Sequence, residues 1–405
     1  MSALSEKHVI LAVIFLFLFC KNQIAMPPSA SGQFAQWFVS GSPSTYDSLV
    51  SYRTVAQKQD SLAKDAQTKF AGACGKFTAI LSDTFGSRYT LGWKTPASTR
   101  RDTLYPLIVY LHGGTGTALA TKGEIAWDML SALGDTFNIF LASPSANREN
   151  PWWSPAGLSR MLQTIRCMTL WYPIDPDKIF LAGVSDGAAG CYAAANTICS
   201  PFAGFIAVSG YGGMLFQLGM ELYPGNIMQR PILNINAGKD QIYPIDAVRK
   251  FLDWLTSNGV SVERKEYPDE KHGFDYRDKE YGHLARFIRA WSRPHGNRSL
   301  SWTFVAGFPN LPDNLLRWEL VPAAAGRTVN AYWTSDTLQL RAAGVRSIMI
   351  AMPGAGPQHI SVRINGTTLR TTSALTPDGP LVFSLVGHSL FPRVSPQTLY
   401  SFDIP

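Results

Sequence analysis

From residue 88 to residue 291, short apolar runs alternate with longer stretches of helical periodicity, and this alternation restricts the fold more than any other feature of the chain. The pattern predicts strands at 88–94, 104–111, 138–142, 178–182, 203–209, 231–237 and 260–267. Helices are expected at 157–171, at 186–197, from Pro244 to a stop at Gly259, and at 281–291. A strand that is apolar at almost every position is buried on both faces. That requires helices above and below, so a mostly parallel sheet of the α/β class is expected.

After Arg293-Pro294-His295-Gly296 the texture changes. Short alternating segments follow at 328–333, 337–341, 347–352, 360–364 and 367–371, and the last two are joined by Asn365-Gly366. Asn-Gly between alternating runs is a strong hairpin signal, so a small all-β C-terminal domain is expected. The chain therefore divides into a signal peptide at 1–25, a linker and helical segment at 26–86, the α/β domain at 87–295, and a β domain at 296–405. Within the second part, 26–43 is rich in Pro, Ser and Gly, and 46–70 has helical spacing through Leu49, Val50, Val55, Leu62 and Ala66.

The apolar run at 9–19 follows Lys7 and His8 and is too short to span a bilayer, which takes about 20 residues. It fits the core of a secretory signal, so export to the periplasm or medium is expected, with no transmembrane span. Cys20 ends the run and raises the alternative of a surface-anchored lipoprotein, although Phe19 stands where a small residue is usual. The remaining cysteines, Cys74, Cys167, Cys191 and Cys199, permit disulfides, and a local bridge between Cys191 and Cys199 is one option. A net charge of +7 is spread out with no long basic block, which argues against a nucleic-acid partner. No His/Cys group has the spacing of a metal site, and no cofactor is implied.

Chemistry concentrates around Gly183-Val184-Ser185-Asp186-Gly187. A strand precedes it and an Ala-rich helix follows, so Ser185 would project its hydroxyl above the sheet edge as a nucleophile. The strand at 104–111 runs into His112-Gly113-Gly114-Thr115-Gly116, whose glycines let backbone N–H groups approach a ligand. Gly113 and Gly114, with the N–H of Asp186, are the candidate oxyanion donors. His112 reads as a structural residue of that loop. Asp240 follows the strand at 231–237, and His272 follows the last strand of the α/β region, giving the order Ser185, Asp240, His272. Asp246 falls inside a helix, while Asp269 and Asp275 crowd the histidine loop. Trp152, Trp153 and Tyr211 follow strands on the side where the site should open, as a substrate pocket or as a packed cap.

Residues 100–292 resemble the dienelactone hydrolase, feruloyl esterase and prolyl-oligopeptidase-like branch of the α/β-hydrolases. The resemblance is carried by Tyr110-Leu111-His112-Gly113-Gly114, Tyr172-Pro173-Ile174-Asp175-Pro176-Asp177-Lys178-Ile179, Gly183-Val184-Ser185-Asp186-Gly187, Gly238-Lys239-Asp240 and Lys271-His272-Gly273-Phe274. It implies an α/β-hydrolase fold and a Ser-Asp-His triad that cleaves carboxylic esters of feruloyl, acetyl or short-acyl type through an acyl-enzyme. With export and a Trp-rich composition, esters linked to plant polysaccharide are the expected substrates. A serine peptidase ranks second, because the chain lacks the large propeller of prolyl oligopeptidases. An inert surface binding protein ranks third. The sequence departs from the family at Asp186, usually neutral or aromatic, and at Ala188, where a second glycine is common. A carboxylate beside the nucleophile is expected to disfavour acidic substrates.

Overall fold

Tyr105–Leu111 is strand β3, and its side chains show why an unbroken apolar run is needed there. Leu107, Val109 and Leu111 enter one core layer, while Ile108 and Tyr110 enter the other. The other strands of this sheet are β1 (Lys76–Ser82), β2 (Arg88–Lys94), β4 (Phe140–Pro144), β5 (Ile174–Val184), β6 (Gly204–Val208), β7 (Ile232–Ala237) and β8 (Val262–Tyr267). They form an eight-stranded sheet in the order β1-β2-β4-β3-β5-β6-β7-β8. From β4 to β8 neighbouring strands are parallel, and β1 and β2 add an antiparallel edge. The computed structural model describes residues 74–100, 102–294, 299–311, 316–320, 327–334, 337–353, 361–370 and 397–403. The segment at 1–25, Cys20 and the helix expected at 46–70 lie outside the described residues.

The helices are α1 (Gly123–Ala126), α2 (Ser131–Phe137), α3 (Pro155–Trp171), α4 (Asp186–Thr197), α5 (Met214–Gln217), α6 (Pro224–Ile227), α7 (Ile245–Ser257) and α8 (Arg277–Ala290). Leu158, Met161 and Ile165 of α3, the alanines of α4, and Val248, Phe251 and Leu252 of α7 pack on one face of the sheet. Leu133 of α2 and Leu284, Phe287 and Ile288 of α8 pack on the other. Burying a large apolar side chain contributes about 1.5–3 kcal/mol, so the two layers hold the sheet between them. This is the mostly parallel sheet that the strand–helix alternation implies, in the α/β-hydrolase architecture that the family resemblance implies.

Several boundaries differ from the expectation, among them the start of α8, at Arg277 in place of 281. The sheet begins at Lys76, inside the segment read as linker, because β1 pairs with β2 in register from Lys76–Lys94 to Ser82–Arg88. Strand β5 starts earlier than 178, at Ile174, where its first residue pairs with Tyr105. Cys191 and Cys199 are not bridged. Cys191 lies against the carbonyls of Leu181 and Ile206 under the sheet, and Cys199 faces the carbonyl of Leu311.

Beyond residue 298 the described strands form two sheets. One holds β9 (Ser299–Thr303), β11 (Thr328–Trp333), β12 (Thr337–Ala343), β14 (Ser361–Ile364) and β15 (Thr367–Arg370) in the order β15-β14-β12-β11-β9. The other is β10 (Leu316–Leu320), β13 (Val345–Pro353) and β16 (Gln397–Asp403), with β13 central. Asn365 and Gly366 both have positive φ, as a two-residue hairpin turn requires. The apolar core is continuous across residue 295, since Trp302, Val329 and Leu338 join the layer built by α3 and α4. The Asn226 side chain exchanges hydrogen bonds with the backbone of Thr303 at 2.8 and 2.7 Å and so ties α6 to β9.

After β3 the chain crosses to β4 on one side, and after neighbouring β5 it crosses to β6 on the other. Loops diverging in this way open a crevice at the carboxyl ends of the strands. The segment after β3 and the serine after β5 meet at that crevice.

Candidate active site

Ser185 occupies a backbone conformation that ordinary residues avoid, with φ 56° and ψ −119°. Its N–H donates to the Val208 carbonyl at 2.9 Å, extending the β5–β6 ladder, and its own carbonyl accepts from Ala188 at 2.9 Å to open α4. The flanking glycines are required by space. A Cβ on Gly183 would sit 2.3 Å from the Gly187 carbonyl oxygen, and a Cβ on Gly187 would sit 2.1 Å from that of Leu111. Alanines dominate α4 for a related reason: Gly190 already lies so close to Trp152 that a Cβ there would meet its side chain at 2.6 Å.

The sequence-predicted Ser185, Asp240 and His272 lie in hydrogen-bonding succession. His272 Nε2 is 3.1 Å from Ser185 Oγ, and His272 Nδ1 is 2.8 Å from Asp240 Oδ2. The other carboxylate oxygen of Asp240 accepts from the N–H groups of Ile242 and Tyr243, both at 2.8 Å, which fixes its plane. With Asp240 accepting at Nδ1–H, the lone pair of His272 Nε2 faces the serine hydroxyl. The neighbouring acids are engaged elsewhere, Asp269 with Lys239 and Asp275 with Arg277.

The loop after β3 is pinned by His112. Its Nε2 accepts from Ala146 N–H at 3.0 Å, so Nδ1 carries the proton and donates to the Gly113 carbonyl at 2.9 Å. Burial is the largest influence on this imidazole and holds its pKa down to about 4, so the ring is neutral. Gly113 lies against the serine, where a Cβ would be 3.0 Å from Ser185 Cβ. Gly114 follows with φ 64°.

Trp152 is a correction to the expected substrate pocket. Its side chain is fully buried, packs edge-on against His112 and donates to the His112 carbonyl at 2.8 Å. It supports the loop from within the core. Trp153 and Tyr211 are half-buried against the same core, and Tyr211 reaches the site through ring contacts with Tyr243 and Phe251. The Asp186 side chain is engaged by neighbouring residues. Its Oδ2 accepts from Thr115 N–H at 2.7 Å and Thr115 Oγ1 at 2.9 Å, and its Oδ1 accepts from the Tyr243 hydroxyl at 3.3 Å. The carboxylate is turned into the loop and is held there by three donors.

Sequence reasoning missed Tyr243, three residues past Asp240. Its buried phenol lies against Asp186, interacts with the Ser185 side chain and sits 5.6 Å from the His272 ring. Burial, then the Asp186 carboxylate, pushes its pKa up, so the hydroxyl keeps its proton as a donor. The available signal was its place on the loop that delivers the acid. His283 of α8 bridges Glu280 of the same helix and Glu263 of β8. Among the described residues no group of three or more His, Cys, Asp or Glu side chains could hold a metal ion. Among the same residues no helix is long and apolar enough to cross a membrane.

Residues 159–295 match the dienelactone hydrolase family. A curated relative, poly(3-hydroxyalkanoate) depolymerase C of Paucimonas lemoignei, is 32% identical over 118 residues, which cover 26% of this chain and 28% of that protein. The matched stretch thus spans little more than a quarter of the relative. Among solved structures, a thermostable esterase matches at TM-score 0.42 and 21% identity, covering 54% of this chain and 63% of its own. A fluorophosphonate-binding serine hydrolase of Staphylococcus aureus matches at TM-score 0.44 and 14% identity, covering 54% and 99%. An acylaminoacyl peptidase in complex with a chloromethyl ketone matches at 0.43 and 16%, covering 55% and 42%. Residues 159–295 thus carry a dienelactone hydrolase family domain, within a sheet of the α/β-hydrolase fold.

Proposed function

We propose that the chain is a serine hydrolase of carboxylic esters, with Ser185 as nucleophile, His272 as general base and Asp240 as the group that orients the imidazole. The observation that carries this reading is the succession Asp240–His272–Ser185 at 2.8 and 3.1 Å, ending on a serine held at φ 56°. His272 Nε2 takes the Ser185 proton as Oγ attacks the acyl carbon, and Asp240 stabilises the imidazolium without taking up the proton. The developing oxyanion is held by the N–H of Asp186 at the start of α4 and by that of Gly113 or Gly114. His272 then returns its proton to the leaving alcohol, an acyl-Ser185 ester remains, and water activated by the same base hydrolyses it.

Ser185→Ala is the test. Turnover of p-nitrophenyl acetate and labelling by a fluorophosphonate probe should both disappear, and turnover retained in this variant would refute the assignment. Among substrates, feruloyl, acetyl and short-acyl esters, including those on plant polysaccharide, lead. The likeness to a poly(3-hydroxyalkanoate) depolymerase adds aliphatic polyesters as a second class. One preparation assayed on methyl ferulate, acetylated xylan, a 3-hydroxybutyrate oligoester and an aminoacyl anilide separates these from a peptidase. Export rests on the apolar run at 9–19 and belongs to the same proposal.

A further inference from the structure

The Gly114–Thr115 peptide is gripped from its two ends by opposite charges. Lys122 Nζ donates to the Gly114 carbonyl at 2.6 Å and lies 3.5 Å from that of Gly113. At the other end of the same peptide, Thr115 N–H donates to Asp186 Oδ2 at 2.7 Å, and Thr115 Oγ1 reinforces it at 2.9 Å. The peptide dipole therefore points from an ammonium to a carboxylate, and charge-assisted bonds of this kind are roughly twice as strong as neutral ones. The left-handed Gly114 makes the grip feasible, since a Cβ there would meet Lys122 Nζ at 2.6 Å.

Resting on the serine-hydrolase reading above, we propose that Asp186 and Lys122 are positioning residues that set the oxyanion hole. Asp186 is unusual in serving both halves. Its backbone N–H is one oxyanion donor, and its side chain ties down the loop that carries the other. Thr115 N–H is taken by the carboxylate, which leaves the donor role on this loop to the proposed Gly113 and Gly114 N–H groups just before it. The Gly113 carbonyl accepts from His112 and lies near Lys122, which polarises the N–H at the far end of its peptide, that of Gly114. Tyr243 caps the remaining Asp186 oxygen and keeps the carboxylate facing the loop.

The consequence is a loss in kcat with binding spared. A donor misplaced by about 1 Å costs up to about 100-fold in rate, so Asp186→Ala should lower kcat by about 10- to 100-fold with KM within about threefold. Asp186→Asn should recover most of the loss, because its amide oxygen can accept both Thr115 donors while its NH2 faces the Tyr243 oxygen. Lys122→Met should lower kcat severalfold. Fluorophosphonate labelling, whose phosphoryl oxygen uses the same donors, should slow in proportion. Thr115→Val keeps the shape and the N–H bond but removes the hydroxyl bond, so it supplies a milder variant if Asp186→Ala does not fold, and it should also lower kcat with KM unchanged. The proposal is overturned if Asp186→Ala and Thr115→Val keep kcat within twofold of wild type, or if Asp186→Asn loses as much as Asp186→Ala. Activity in Ser185→Ala would instead overturn the reading of the site on which the proposal rests.

Discussion

His112 makes the stability of the fold depend on pH in a calculable way. The imidazole has a pKa of about 4 in the folded protein, against an ordinary value of 6.5. Between these values the unfolded chain binds the proton and the folded one does not, so stability falls as pH falls. The contribution is fully present above pH 6.5 and lost by pH 4. The gap corresponds to about 3 kcal/mol, of which about 2 kcal/mol is gone at pH 5. His112→Asn supplies the comparison, because its amide can still donate to the Gly113 carbonyl while titrating nothing. The variant leaves the buried Ala146 N–H without its acceptor, which costs about 1–3 kcal/mol at neutral pH. Urea unfolding of both proteins from pH 7.5 to pH 5 should show the wild-type advantage shrinking by about 2 kcal/mol. An advantage that stays constant or grows over that range would show that the His112 proton is not coupled to folding.

Asp240→Asn should lower kcat by about 10³- to 10⁴-fold with the melting temperature unchanged, because an amide at Asp240 favours the wrong His272 tautomer; a loss under tenfold in a p-nitrophenyl acetate assay removes Asp240 from the triad. Asp83→Ala should destabilise the fold by about 3–5 kcal/mol in urea titrations, since it strands the fully buried Arg160 guanidinium, whose Nε donates to Asp83 Oδ2 at 2.9 Å; a cost below 1 kcal/mol contradicts that. Gly187→Ala should cost about 1–3 kcal/mol and abolish fluorophosphonate labelling, because its Cβ must displace the Leu111 carbonyl at the root of the oxyanion loop. A labelled, stable variant would mean that the elbow can relax.

The parts of this molecule legible in the sequence are those set by local pattern. Strand β3 is apolar on consecutive residues because both its faces are covered, and such runs alternating with helical periodicity point to a parallel sheet. The Asn365-Gly366 turn was legible because positive φ at two successive positions admits few residue types. Strand β1 was not, since it lies at the sheet edge and its partly exposed sequence lacks a continuous apolar run. Side-chain direction was the second gap. Nothing local distinguishes Trp152, which turns inward to the His112 carbonyl, from the half-buried Trp153 beside it. The Lys122–Asp186 grip was out of reach for another reason: its partners meet only once β3 and β5 are paired, and no short-range pattern encodes that meeting.

The site and the sheet are consequently not separable in energy. A residue at φ 56° outside glycine costs about 1–3 kcal/mol, and locally Ser185 has only the helix-opening bonds from Ala188 and Ala189 N–H to its carbonyl to set against that among the described contacts. The rest of its support is long-range: the Val208 carbonyl on β6, the Leu111 backbone on β3 against Gly187, and the Gly113 backbone against its own Cβ. These contacts come from two strand ends, that of β6 and that of β3. The loop that faces the serine is in turn fixed by Ala146 after β4 through His112, and by Asp186 after β5 through Thr115. Loss of pairing at either the β6 or the β3 end should release the strained serine while the core layers still hold. Local opening at the crevice should therefore extinguish the chemistry well before the sheet itself is lost.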